Sequence, residues 1–126
     1  MKNISDPQSN FAYDMHQYFD QDSSGQSDTC LGTWNTSSVM DGATEWLRSS
    51  GRKAFIGEFG SAPNTACIDI LNDFLTYLET NSDVWIGWTY WAAGPWWGTY
   101  SYSVEPKSKV NSHDQWNNAL KNHLGL

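Results

Sequence analysis

Residues 53–60 read KAFIGEFG, an apolar run of strand length with one carboxylate near its end. Such a run leaves no polar face for water, so it fits a strand buried on both sides, as in parallel sheets covered by helices. The following segment, ACIDILNDFLTYLETN, places Ile68, Leu71, Phe74, Leu75 and Leu78 at helical spacing and is the clearest helix of the chain. Ahead of the strand, SSVMDGATEWLRSSG sets Val39, Ala43, Trp46 and Leu47 on one helical face, with a Ser/Asp start and Gly51 as the stop. NFAYDMHQYFD and VWIGWTYW supply an earlier and a later strand, and HDQWNNALKNHL closes the chain as an amphipathic helix through Trp116, Leu120 and Leu124. Strand and helix alternating in this order predict an α/β fold of parallel βα units. Polar and aromatic residues gather at the C-terminal ends of the strands, where parallel folds place their sites.

Length limits the architecture. A closed eightfold barrel takes roughly 250 residues, or about 30 per unit. The 126 residues here hold about three such units, so a partial barrel is expected.

Charge narrows the partners. Fourteen acidic residues against seven basic ones give a net charge of −7, which disfavours nucleic acid and anionic membranes. A neutral ligand such as a sugar is not disfavoured. No apolar run approaches the ~18–20 residues of a membrane span. MKNISDPQSN lacks the apolar stretch of a signal peptide, so a secreted product would carry its signal outside this chain. The two cysteines, Cys30 and Cys67, suit an extracellular disulfide, with two buried thiols as the lesser alternative. Asn3-Ile4-Ser5 and Asn35-Thr36-Ser37 match the N-glycosylation pattern, a match that is common by chance.

Two features carry candidate chemistry. Glu58 lies in an otherwise apolar strand between Gly57 and Gly60, where a carboxylate is costly unless it is hydrogen-bonded or used. His16 and Tyr18 alternate along the first strand and share a face, so both could orient that carboxylate. A structural ion pair or inter-strand hydrogen bond explains Glu58 as well. Residues 84–106 hold five of the eight tryptophans, either an unusually aromatic core or a platform for something flat. Asp20-x-Asp22-x-Ser24-Gly25 imitates the start of an EF-hand, yet position twelve is Leu31 where a calcium loop needs Glu. Turn chemistry is the better reading, and no metal or cofactor is expected.

FAYDMHQYFD, FIGEFG and YWAAGPWWGTYSYSVEP, in this order and spacing, resemble the last three strands of glycoside hydrolase family 5. The resemblance runs from Asn10 to Leu124 and is greatest to the fungal-type endo-β-1,4-glucanases, or cellulases. It implies that residues 1–126 are part of a (β/α)8 catalytic domain, equivalent to strands six to eight. It further implies a retaining mechanism, in which two carboxyl groups about 5–5.5 Å apart act as nucleophile and acid/base. Glu58 in GEFG matches the family's nucleophile, Tyr18 the phenol bonded to it and His16 the histidine beside it. Trp91 matches the indole on which the sugar next to the scissile bond stacks, and Trp96 and Trp97 would extend that surface. Cys30 and Cys67 fall where relatives carry a disulfide. A β-glucan or cello-oligosaccharide is then the expected substrate, and the extracellular space the expected location.

The resemblance also exposes a gap. The family's acid/base is the Glu of an Asn-Glu-Pro motif on the fourth strand, and these residues contain none. Val104-Glu105-Pro106 is the nearest imitation, at a position without a catalytic role in relatives. Three strands leave sheet edges open, and open edges invite association. Two copies pairing their edges would approximate a six-stranded barrel, so a homodimer is expected. A second copy's Glu58, or Asp14, Asp20 or Asp22, would then replace the acid. Weakened hydrolysis is expected; binding of β-glucan without catalysis is the alternative.

Overall fold

The structure is a computed structural model that describes residues 4–106 and 113–125. Three parallel strands, β1 (Tyr13–Tyr18), β2 (Ala54–Gly60) and β3 (Trp85–Trp88), form one sheet in the order β1-β2-β3. Helices α1 (Thr36–Ser50) and α2 (Thr65–Thr80) make the two crossovers. Both helices lie on the same face of the sheet. Tyr13 meets Trp46 of α1, and Phe59 meets Phe74 of α2. On that face Ala54, Ile56, Phe59 and Trp85 are buried, while on the other Asp14 and His16 are exposed and Glu58 half-buried. The expectation that β2 is buried on both sides is therefore met on one side only.

Both helices start on an asparagine. Asn35 Oδ1 accepts the Ser38 N–H at 2.8 Å, and Asn64 Oδ1 the Cys67 N–H at 3.0 Å. Each cap is worth about 1 kcal/mol. Asn35, the glycosylation match, is thus the N-cap of α1; Asn3 lies outside the described residues. Gly51 ends α1 in the left-handed conformation, φ 65°, that a C-cap favours.

Two helical faces differ from expectation. Val39 is exposed, and α1 instead turns Thr36, Met40, Thr44 and Leu47 inward. The inward threonines are hydrogen-bonded: Trp85 Nε1 donates to Thr44 Oγ1 at 2.9 Å, and the Thr36 hydroxyl reaches Asp73. At the C-terminus α3 (His113–Asn118) gives way to a 3-10 turn, Leu120–His123. Trp116 and Leu124 are exposed there, and Gln115, Ala119 and Leu120 are buried. Gln115 Nε2 donates to the carbonyls of Ser61 and Ser101 at 3.1 and 2.9 Å.

The aromatic stretch divides in two. Trp85 is a core residue, 1% exposed, and Trp88 packs edge-on against Phe59. Within this stretch the exposed tryptophans, Trp91 and Trp96, come after β3, while Trp88 and Trp97 are half-buried.

Candidate active site

A β-bulge aims the carboxylate. The β1–β2 ladder runs in register from Tyr13–Ala54 to Met15–Ile56, skips Gly57, and resumes at His16–Glu58. Strict alternation would have turned Glu58 toward the helices; the extra residue turns it to the open face, beside His16 and Tyr18. A Cβ at residue 57 would lie 2.1 Å from Asp14 Oδ1, so a larger residue at the bulge would displace the exposed Asp14 carboxylate. The Gly57 carbonyl accepts the Thr89 hydroxyl at 2.6 Å, which ties the bulge to the chain leaving β3.

The three residues singled out on β1 and β2 meet. The Tyr18 hydroxyl donates to Glu58 Oε1. His16 Nδ1 stands 3.5 Å from Glu58 Oε2, and its Nε2 stands 3.3 Å from Asp14 Oδ2. Burial raises the pKa of the Tyr18 phenol, and the hydrogen bond to Glu58 and its charge raise it further. The phenol therefore keeps its proton and remains a donor. Asp14, singled out in the sequence only as a substitute acid, joins this cluster through His16, two residues on along the same face of β1.

Beyond the strands, the Trp91 N–H donates to the Phe59 carbonyl at 2.8 Å, which sets Trp91 against the end of β2. Only glycine fits at residue 60, where a Cβ would come within 2.2 Å of the Trp91 carbonyl oxygen. Trp91 is 37% exposed and meets Trp97 edge to face at 4.9 Å. Trp97 continues to Tyr100 at 5.3 Å, and Tyr100 stacks on Tyr102 at 5.1 Å. Trp96 stands apart, 94% exposed. The three tryptophans do not form one flat surface: Trp91 and Trp97 are inclined at 69°.

The loop after β1 is built around Asp20, which is 2% exposed. Its carboxylate accepts the N–H groups of Gly25, Gln26 and Ser27 at 3.0–3.1 Å and the Ser24 hydroxyl at 3.2 Å. Burial alone would raise its pKa; these hydrogen bonds outweigh burial and hold it below the usual carboxylate range. Oxygens so fully engaged are unavailable to a cation, so the EF-hand resemblance is turn geometry. They are equally unavailable for proton transfer to a leaving group, which removes Asp20 as a substitute acid. Among the described residues no cluster of His, Cys, Asp and Glu could hold a metal ion. The Glu105 N–H donates to Ser103 Oγ at 3.3 Å.

Cys30 and Cys67 form a disulfide, Cα–Cα 5.4 Å, joining the loop after β1 to the first turn of α2. No helix among the described residues is long and apolar enough to cross a membrane.

Residues 1–94 match the family model described as cellulase, glycosyl hydrolase family 5. Endo-beta-1,4-glucanase A of Emericella nidulans is 47% identical over 110 residues, 87% of this chain and 34% of that protein. Endoglucanase 3 of Humicola insolens is 42% identical over 121 residues, 96% of this chain and 31% of that protein. Among solved structures, XacCel5A in complex with cellopentaose superimposes with a TM-score of 0.82 at 40% identity, covering 94% of this chain and 39% of that one. The chain spans about a third of the length of the curated relatives it matches.

Proposed function

The chain belongs to glycoside hydrolase family 5 and has the fold of a partial (β/α)8 barrel, and on that premise we propose that residues 1–126 carry the nucleophile half of a retaining endo-β-1,4-glucanase site. The reading rests on one observation above the others: a phenol and an imidazole, from the neighbouring strand, both face the Glu58 carboxylate at the C-terminal end of the sheet. Glu58 attacks the anomeric carbon of a β-1,4-glucan. The Oε–C1 bond forms as the C1–O bond to the leaving sugar breaks, and water later releases the glycosyl group. Tyr18 and His16 hold the carboxylate in line for attack. Trp91, exposed beside the strand end, takes the apolar C–H face of the neighbouring glucose, with Trp97 next to it. Trp96 is assigned to more distant sugar units.

A retaining mechanism needs a second carboxyl group, and these residues hold no Asn-Glu-Pro motif. We assign it to groups outside one copy of residues 1–126. The open edges of the sheet lead us to propose a homodimer in solution. Sedimentation equilibrium tests this: a dimer at micromolar concentration is expected, and a strictly monomeric, folded species overturns it. We assign the work to the extracellular space, a reading that the substrate class and the family support.

The mechanism is tested with 2-deoxy-2-fluoro-β-cellobioside bearing a dinitrophenyl leaving group. Nucleophilic attack expels dinitrophenolate without protonation and leaves a long-lived glycosyl ester. The expected result is one fluorocellobiosyl adduct per chain, located on Glu58 by peptide mass spectrometry. A missing acid favours a second reading, a β-glucan-binding fragment without catalysis. Cello-oligosaccharide binding without any adduct would establish that reading and sink the first.

A further inference from the structure

The mechanism leaves the buried Asp20 without a part, although it lies two residues from Tyr18. We propose that Asp20 is a positioning residue: it holds the loop after β1 closed on the ring of Tyr18, and so fixes the phenol that is bonded to Glu58. The inference rests on the assignment of Glu58 as nucleophile.

Three sets of contacts carry it. First, the Asp20 carboxylate gathers the N–H groups of three consecutive residues, Gly25, Gln26 and Ser27. This curls the loop back over the end of β1. Second, the curled loop presses on Tyr18. Gly25, at φ 71°, sits so close that a Cβ would lie 2.7 Å from Tyr18 Cε1. The Tyr102 ring adjoins Tyr18 with centroids 6.2 Å apart. Third, the loop is anchored to the chain that carries the tryptophans. Tyr100 donates to the Gly25 carbonyl at 2.8 Å, and Tyr102 to the Ser27 carbonyl at 2.6 Å. Burial, with the nearby charges of Asp20 and Glu58, pushes the Tyr100 phenol up to about 12, so it stays a donor. Gly25 and the Tyr102 ring, both set against Tyr18, thus hang on the loop that Asp20 gathers. A phenol free to rotate would leave Glu58 without its partner, and small misplacements of reacting groups cost up to about 100-fold in rate.

The test compares Asp20→Asn with Asp22→Asn, which removes the same charge from an exposed position of the same loop. The readout is the hydroxyl proton of Tyr18 by NMR, assigned through its loss in Tyr18→Phe. A hydrogen-bonded, slowly exchanging signal is expected in the unmodified protein and in Asp22→Asn. It is expected to vanish in Asp20→Asn while circular dichroism shows the fold retained. A folded Asp20→Asn protein that keeps the signal overturns the proposal, whatever its melting temperature. Should Asp20→Asn not fold, Tyr102→Phe removes only the hydroxyl bonded to Ser27; an unchanged Tyr18 signal there overturns the proposal equally. Labelling by the fluorosugar supplies the functional arm. Asp20→Asn should slow it about 10-fold to 100-fold, and have no further effect in a Tyr18→Phe background. Additive losses would make Asp20 merely structural. An unmodified protein that takes no label dismisses Glu58 as nucleophile, and the NMR signal still decides whether Asp20 holds Tyr18.

Discussion

Glu58→Gln is expected to abolish turnover of a dinitrophenyl cellobioside, by on the order of 10⁶-fold as for the lost nucleophile of a serine protease, while leaving cello-oligosaccharide affinity nearly unchanged. The choice of substrate follows from the proposed division of the site. Dinitrophenolate leaves without a proton, so bond cleavage needs the nucleophile and not the acid. A glucan's sugar hydroxyl leaves poorly unless protonated, and absent general acid catalysis costs about 10²–10⁴-fold. The chain should therefore turn over the activated glycoside far better, relative to an intact family member, than it does carboxymethyl cellulose. Glutamine preserves the shape of Glu58 and an oxygen for Tyr18 to donate to, so binding through Trp91 should survive. Equal activity in the mutant would remove Glu58 from the mechanism. A ratio of activated to natural substrate matching that of intact family members would mean that a complete acid catalyst is present, and would contradict the division proposed here.

What could be read from the sequence follows from how local each signal is. The strands and α2 declared themselves because apolar runs and helical spacing act over a few residues. Glu58 was visible because an acid in an apolar strand is anomalous. Its direction was not: the bulge at Gly57 depends on which residue of β1 faces which of β2, and pairing between distant strands leaves no mark in either alone. The inward face of α1 was misread for a related reason. Thr36 and Thr44 look like surface residues until Asp73, Trp34 and Trp85 supply partners for their hydroxyls. Trp85 resembled one more platform ring because the core into which it fits is built by α1. Asp20 was the hardest to place. Asp/Ser/Gly turns that bind calcium and turns that bind their own backbone use the same residues, and the difference lies in whether the oxygens receive N–H groups.

Replacing Cys30 and Cys67 together by alanine is expected to cost about 4 kcal/mol of stability, the chain-entropy value for a link across 37 residues. For a chain of this size that lowers Tm by roughly 15 °C. The position of the bridge gives the loss a functional direction. Cys30 forms an antiparallel bridge with Asp20, and Cys67 lies in the turn of α2 that Asn64 caps. Asn64 also donates through Nδ2 to the Asp28 carbonyl at 2.8 Å, and the Asp28 carboxylate accepts the Ser101 hydroxyl. The disulfide thus braces the loop after β1 against α2, next to the segment that carries Trp97. The same loop is also tied to the segment after β3 through Tyr100 and Tyr102, so loss of the brace should lower stability more than it disturbs the site. Thermal melts of the double mutant and of the protein under dithiothreitol should agree with each other and fall well below the oxidised protein. Labelling of Glu58, measured below both transitions, should slow far less than in Asp20→Asn, because the hydrogen bonds that gather the loop around Asp20 are separate from the bridge. A melt unchanged by either treatment would show that the loop is held by those hydrogen bonds alone. Labelling slowed as much as in Asp20→Asn would show instead that brace and hub act as one unit.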